Sequence, residues 1–302
     1  MAGVITTGNH PKLLWPGLKA LWGRKYDEHK KECVDLFDIE SSSMAYEEDV
    51  ELTGFGLAPV KNQGKSTSYD SEQQQTVARY THVAYSLGYI ITKEDIMDNL
   101  YESKSGRYIE ALAFSMNQTK ENVAALVYNR GFSNTYPGGD GVAMLSASHP
   151  TVDGTQSNIL SVAADLSEQS IEDLCIQIMN ANNSRGLKIS LMPKSLHVAT
   201  ANAFEATRIL KSPLQNDTAN NALNALLEMG SIPKVMVSHY FSDPDAWFVR
   251  TNAPRGMVGY QRSAIEFTQD NDFDTENAKA KAYERYTFKF TDFRGIYGSP
   301  GA

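Results

Sequence analysis

Cysteine is almost missing from this chain. Cys33 and Cys175 are the only two, far apart and outside any CxxC spacing. That excludes a disulfide framework and a cysteine-rich zinc site; inert thiols in a reducing compartment are the simpler reading. Long apolar runs are missing too. No stretch approaches the ~20 residues that span a bilayer. The opening "MAGVITTGNHPKLLWPGLKALWG" has no basic start, apolar run or small-residue cleavage site of a signal peptide. The expectation is a protein made and folded in a cytoplasm, with no membrane partner. Positive charge is scarce: 28 Lys and Arg face 36 Asp and Glu, for a net −8. Such a chain repels phosphate overall and is not a general nucleic-acid binder, although a local basic face remains open.

Catalytic and metal motifs are equally thin. The histidines at 10, 29, 82, 149, 197 and 239 form neither HxH nor HExxH. "GGDG" is not followed by GK[ST], and there is no dinucleotide-binding fingerprint. "DNDFDTENAKAK" starts like a calcium loop, with Asp270, Asp272 and Asp274 alternating. It has Thr275 where the loop needs glycine and Lys281 where it needs glutamate, so a solvated turn between strands is the better reading. "GVAMLSASHP", residues 141–150, offers serines, a histidine and Asp140 just upstream. It lacks the glycines of a nucleophile elbow, and adjacent Ser148 and His149 cannot form a triad with each other. A turn whose imidazole bonds locally is preferred. The alternative kept open is a soluble α/β enzyme with a site around His149 and Asp140. No enzyme activity, cofactor or metal is expected.

What is present is a globular composition, 41 % hydrophobic and 21 % charged over 302 residues, enough for one large domain or two modest ones. Residues 1–48 read as an arm with short helical pieces, broken by Pro11 and Pro16. "THVAYSLGYII" alternates as a strand, with Val83, Tyr85, Leu87, Tyr89 and Ile91 on one face. "LTGFGLAPV" is its expected partner, and "KNQGKSTSYDSEQQQ" the polar tip of a long hairpin. Thr92 before "KED" resembles a capping box. Ile109, Leu112, Met116, Val123 and Val127 recur at near-helical spacing and predict a long helix ending near Gly131, a suitable C-terminal cap, with Gly106 as a kink or second start.

Residues 133–160 read as loop. A helix is predicted at "LSEQSIEDLCIQIMNAN", a strand at "SLHVAT" and a helix at "ANAFEATRILK". "VMVSHYF" and "AWFVRT" read as a hairpin around "SDPD". The last 50 residues are strand-rich, with Tyr286, Phe288 and Phe290 on one face. The arm and hairpin have little core of their own, and ordering each residue costs about 1–2 kcal/mol. Either other subunits supply their buried surface, or they are flexible in a monomer.

The order of "TGFGLAP", a polar tip with "YD", "YTHVAYSLGYIITKEDIMDN", the long helix, "GVAMLSASHPT…SN", "ADLS" and "DFRGIYGSPGA" resembles the major capsid proteins of tailed bacteriophages, whose fold is named after phage Hong Kong 97. The resemblance spans nearly the whole chain and lies in the ordered series. It implies an α+β fold with an N-terminal arm (1–48) and an extended β-hairpin loop lying over a neighbouring subunit (49–90). A peripheral domain with a spine helix (91–160 and 251–302) and an axial α/β domain (161–250) complete it. "GVAMLSASHP" becomes a joint between spine helix and axial domain.

It further implies a structural subunit that self-assembles as hexamers and pentamers into an icosahedral head around double-stranded DNA, put together in the host bacterial cytoplasm. The portal, and in some cases decoration proteins, are the expected partners. Only about 48 residues precede the loop, so a separate scaffolding protein is expected as well. The expected subunit contacts are Lys61, Gln63, Lys65 and Tyr69 in the loop, with Trp15 and Trp22 in the arm. Lys61 and Lys65 match no cross-linking chemistry specifically enough to assign it. A tail tube or sheath subunit is the remaining alternative.

Overall fold

The computed structural model describes residues 22–302 apart from 24, 29, 98–100, 216–221 and 273–274. Its longest helix, α3 (Tyr101–Asn129), follows the short α1 (Cys33–Leu36) and α2 (Lys93–Met97). No proline interrupts it, and it runs through Gly106 without a second start. Ile109, Leu112, Met116, Ala124 and Tyr128 fall on one buried stripe.

That stripe lies on a four-stranded sheet in the order β1–β10–β11–β4. Its strands are β1 (Asp38–Ser41), β4 (Val83–Ile91), β10 (Met257–Asn271) and β11 (Ala278–Phe290). The acidic stretch after Asp270 turns β10 into β11, with Asp272 N–H donating to Asn277 O. The helix face is not wholly apolar. Buried Lys120 meets buried Glu284 at 2.5 Å, and Gln261 and the Tyr26 hydroxyl also donate to that carboxylate.

A second sheet, β12–β9–β7–β8, comprises β7 (Pro193–Ala199), β8 (Val235–Ser238), β9 (Trp247–Thr251) and β12 (Ile296–Ser299). It packs with α4 (Glu168–Met179) and α5 (Ala203–Lys211) around Ile171, Leu174, Leu196, Ile209 and Trp247. Ser167 caps α4, accepting from the Ser170 N–H, and completes a capping box. The expected hairpin around "SDPD" is absent. β8 and β9 both pair with β7, one parallel and one antiparallel, so β7 lies between them. Turn residues predict the reversal correctly, but the central strand comes from earlier in the chain.

The strand pairing of the loop also differs from expectation. β2 (Tyr46–Leu52) pairs antiparallel with β3 (Gln74–Thr81), and residues 53–73 form the tip. β4 turns away at His82 and pairs with β11, because the aromatic face carrying Tyr85 stacks on Tyr286 across the sheet at 4.7 Å. Residues 53–60 therefore join no strand in their own chain.

Gly131 follows α3, but not as a left-handed cap: its φ is not positive. A Cβ there would lie 2.8 Å from the Met144 methyl and 2.9 Å from Tyr128 O, so glycine is required by close packing. Gly256 and Gly295 are closer still. A Cβ on Gly256 would sit 2.4 Å from the Gly295 Cα. There the start of β10 crosses the 3-10 turn that leads into β12, backbone against backbone. Between the two sheets, Phe37, Tyr128, Met144, Phe248, Met257 and Ile296 form a shared core.

Candidate assembly surface

The β2–β3 hairpin projects from the body but is tied down along its length. At its base, Asp49 is buried and pairs with Arg255. It also accepts from Tyr260 at 3.3 Å and from Thr291 at 3.0 Å, and Thr291 Oγ1 is 2.5 Å from the Tyr80 hydroxyl. The Asp49 charge raises the Arg255 pKa, while burial and then Asp49 push the Tyr260 phenol up to about 12. Arg255 adopts φ 55°, left-handed backbone that is uncommon for a side-chain-bearing residue.

Further out, Glu51 receives Arg294 at 3.1 Å, Ser184 at 2.7 Å and Thr76 at 2.9 Å. Arg294 is almost fully buried and spends its other donors on Asn182 O, Gln156, Asp292 and Ser184. Burial raises the Asp292 carboxyl, against the pull of Arg294. Near the tip, Arg185 reaches Asp70 at 2.6 Å and the Ser71 carbonyl. The N–H groups of Gly56 and Ser71, and then Arg185, hold the Asp70 carboxyl below its usual range. The three ion pairs Asp49–Arg255, Glu51–Arg294 and Asp70–Arg185 have no local sequence signature, since their partners lie 206, 243 and 115 positions apart.

Beyond these ties the tip meets little of its own chain. Phe55, Leu57 and Val60 are exposed, and Tyr69 is 91 % exposed. Lys61, Gln63 and Lys65 are exposed beside them, with a turn closed by Lys65 N–H donating to Asn62 O. Trp22 is different. Its indole is 3 % exposed and stacks on Phe267 at 5.1 Å and Tyr26 at 6.1 Å. Its surface is already used inside its own subunit, so it is corrected from a contact residue to a core residue. Trp15 lies outside the described residues.

Asp140 and His149 do meet, Oδ2 to Nδ1 at 2.5 Å. The other ring nitrogen is 3.1 Å from Asn158 Oδ1, and the ring stacks on Phe293 at 4.0 Å. Asn158 in turn donates to the carbonyls of Met144, Phe293 and Ile296. His149 is fully buried and both nitrogens are occupied. Ser148 turns instead to Ser146, 3.4 Å away. The cluster fastens the loop after α3, which carries the short pair β5 (His149–Thr151) and β6 (Gly154–Gln156), to the chain's last strand.

The subunit thus combines two sheets, a long helix and a tethered loop with an exposed tip. The family model described as phage capsid protein matches residues 75–299. The chain belongs to the phage capsid protein family. The capsid of Myoviridae phage XM1 superposes with a TM-score of 0.54 at 10 % identity, covering 90 % of this chain and 92 % of that one. A virus-like particle from Pyrococcus furiosus gives 0.52 at 9 %, over 93 % and 97 %. A phage-related protein from Bordetella bronchiseptica RB50 gives 0.53 at 10 %, over 93 % and 95 %. No curated protein matches the chain. The fold is of the Hong Kong 97 type and its role is that of a structural capsid protein. No described helix is long and apolar enough to cross a membrane.

Proposed function

We propose that this capsid protein is the major subunit of an icosahedral phage head, associating with copies of itself as hexamers and pentamers around double-stranded DNA. The observation that carries this reading is the loop at 53–73. Buried ionic anchors hold its base, yet its apolar tip residues have no cover within the chain. A rigidly presented, uncovered segment suits contact with a neighbour. The arm (1–48), loop (49–90), peripheral domain (91–160 and 251–302) and axial domain (161–250) follow from the family layout, except that β4, which that layout counts in the loop, belongs with the sheet under α3. Lys61, Gln63, Lys65 and Tyr69 are the contact residues proposed in the loop, and Trp15 in the arm.

An acidic wall suits the confinement of DNA without gripping it. A separate scaffolding protein and a portal complete the assembly in the bacterial cytoplasm, and the subunit itself performs no catalysis. Electron microscopy of the protein expressed with its scaffold tests this. Capsomers or closed shells are expected; tubes, or a lone particle of one chain at high concentration, overturn it. A gel after boiling in denaturant reads covalent cross-links directly: a single 33.4 kDa band excludes them.

A further inference from the structure

β4 is an edge of its sheet: among the described residues it bonds to β11 on one side and to no strand on the other. Soluble proteins blunt such edges with lysine, proline or a bulge, because unpaired N–H and C=O groups template a further strand. Residues 83–87, Val-Ala-Tyr-Ser-Leu, carry none of these. Val83 and Leu87 share a face and are 49 % and 47 % exposed. Beside Val83 runs a groove of about 630 Å³ whose lining includes Val83, Tyr85, Val123 and Leu126.

The loop tip supplies the complement. Phe55 and Leu57, 63 % and 81 % exposed, alternate with Gly56 and Ala58 at the period of a strand. The Gly56 N–H turns inward to Asp70 at 2.8 Å. Those of Phe55 and Leu57 make no hydrogen bond to the described residues. One chain thus holds an exposed apolar alternation without a sheet at 55–58, just past Gly54 with its φ of 67°, and a sheet edge without a strand, and the two do not pair with each other.

We propose that residues 55–58 of one copy add as a strand to the β4 edge of a second copy, with Phe55 and Leu57 seated in the adjoining groove. This rests on the shell reading above and names the surface on which the loop docks. The contact is heterologous, loop to edge, so repetition builds rings. One short strand buries far less than the ~1,000 Å² of a stable interface. Each contact is therefore weak alone and effective only within a closed ring.

The test combines Leu57→Cys with Val83→Cys in one variant and with Leu87→Cys in another, since paired strands bring Cα atoms within disulfide reach. Both native cysteines are buried and do not compete. Assembled particles are oxidised and run on a non-reducing denaturing gel. A ladder of covalent multimers is expected in at least one pairing and in no single variant. Normal particles that give only monomer, or monomer of altered mobility from an internal bond, overturn the strand addition and leave the shell reading standing. If the double variants do not assemble, hydrogen exchange on the wild type reads the same contact. Amides of 83–87, with Phe55 and Leu57, gain protection on assembly; unchanged exchange overturns the proposal. A wild-type chain that forms no particle overturns the shell reading itself.

Discussion

Arg294 and Glu51, 243 positions apart in the chain, meet at 3.1 Å where the loop leaves the body. The guanidinium is buried and bonds to groups from the loop base, the 182–184 turn and the segment before β12. It thereby fixes the direction of the loop as well as its attachment.

Replacing that side chain, Arg294→Ala, leaves Glu51 and Asp292 without their cation. Breaking a buried pair in this way costs about 3–5 kcal/mol. Urea unfolding of the unassembled subunit is the measurement, and faster proteolysis within 53–73 is expected alongside. Arg294→Lys restores little, because an ammonium cannot reproduce a fork that serves several acceptors at once.

His197 is fully buried, with Nε2 2.7 Å from Ser195 Oγ. Burial, and then Arg250, depress its pKa to about 3. The folded chain keeps the imidazole neutral, whereas the unfolded chain protonates it below about 6.5. Stability is therefore unaffected by this group above that pH and falls as pH drops from about 6.5 towards 3. At pH 4.5 the loss is about 3 kcal/mol. His197→Gln flattens this part of the stability-versus-pH curve; an unchanged slope contradicts the assignment.

Both cysteines are buried, and burial pushes the thiols up to about 12 for Cys33 and about 11 for Cys175. The thiolate is the reactive form. Native protein at pH 8 is expected to resist iodoacetamide for hours, while both sites alkylate promptly in denaturant. Mass spectrometry counts the adducts.

Leu112 lies on the buried stripe of α3, in the cluster that holds Trp22 and Phe267. Leu112→Ala is expected to cost about 2–5 kcal/mol through lost burial and the cavity left behind. Thermal unfolding of the subunit reads it. The same substitution at exposed Leu57 leaves subunit stability nearly unchanged and weakens assembly.

The long helix, the helix at "LSEQSIEDLCIQIMNAN" and the aromatic face of β11 were legible because their signals are local: a period and an alternation. The pairing of the loop was not. "LTGFGLAPV" alternates well enough to suggest a partner for β4, yet alternation states which face a residue occupies and not which strand lies beside it. The placement of β7 between β8 and β9 escaped for the same reason. Arg294, Asp49 and Arg185 carry no motif at all; their meaning arises only when distant segments are brought together. Trp22 was misread because an aromatic in an arm, seen in one dimension, has no visible neighbour.

The Gly256–Gly295 crossing tolerates no side chain on either partner, so the strand entering the long sheet and the turn entering the last strand cannot slide past one another. The crossing accordingly locks the two sheets of one subunit in register where they share the core around Met257 and Ile296. In the shell proposed above, a change of curvature is therefore expected to fall on the contacts between subunits before it reaches this crossing.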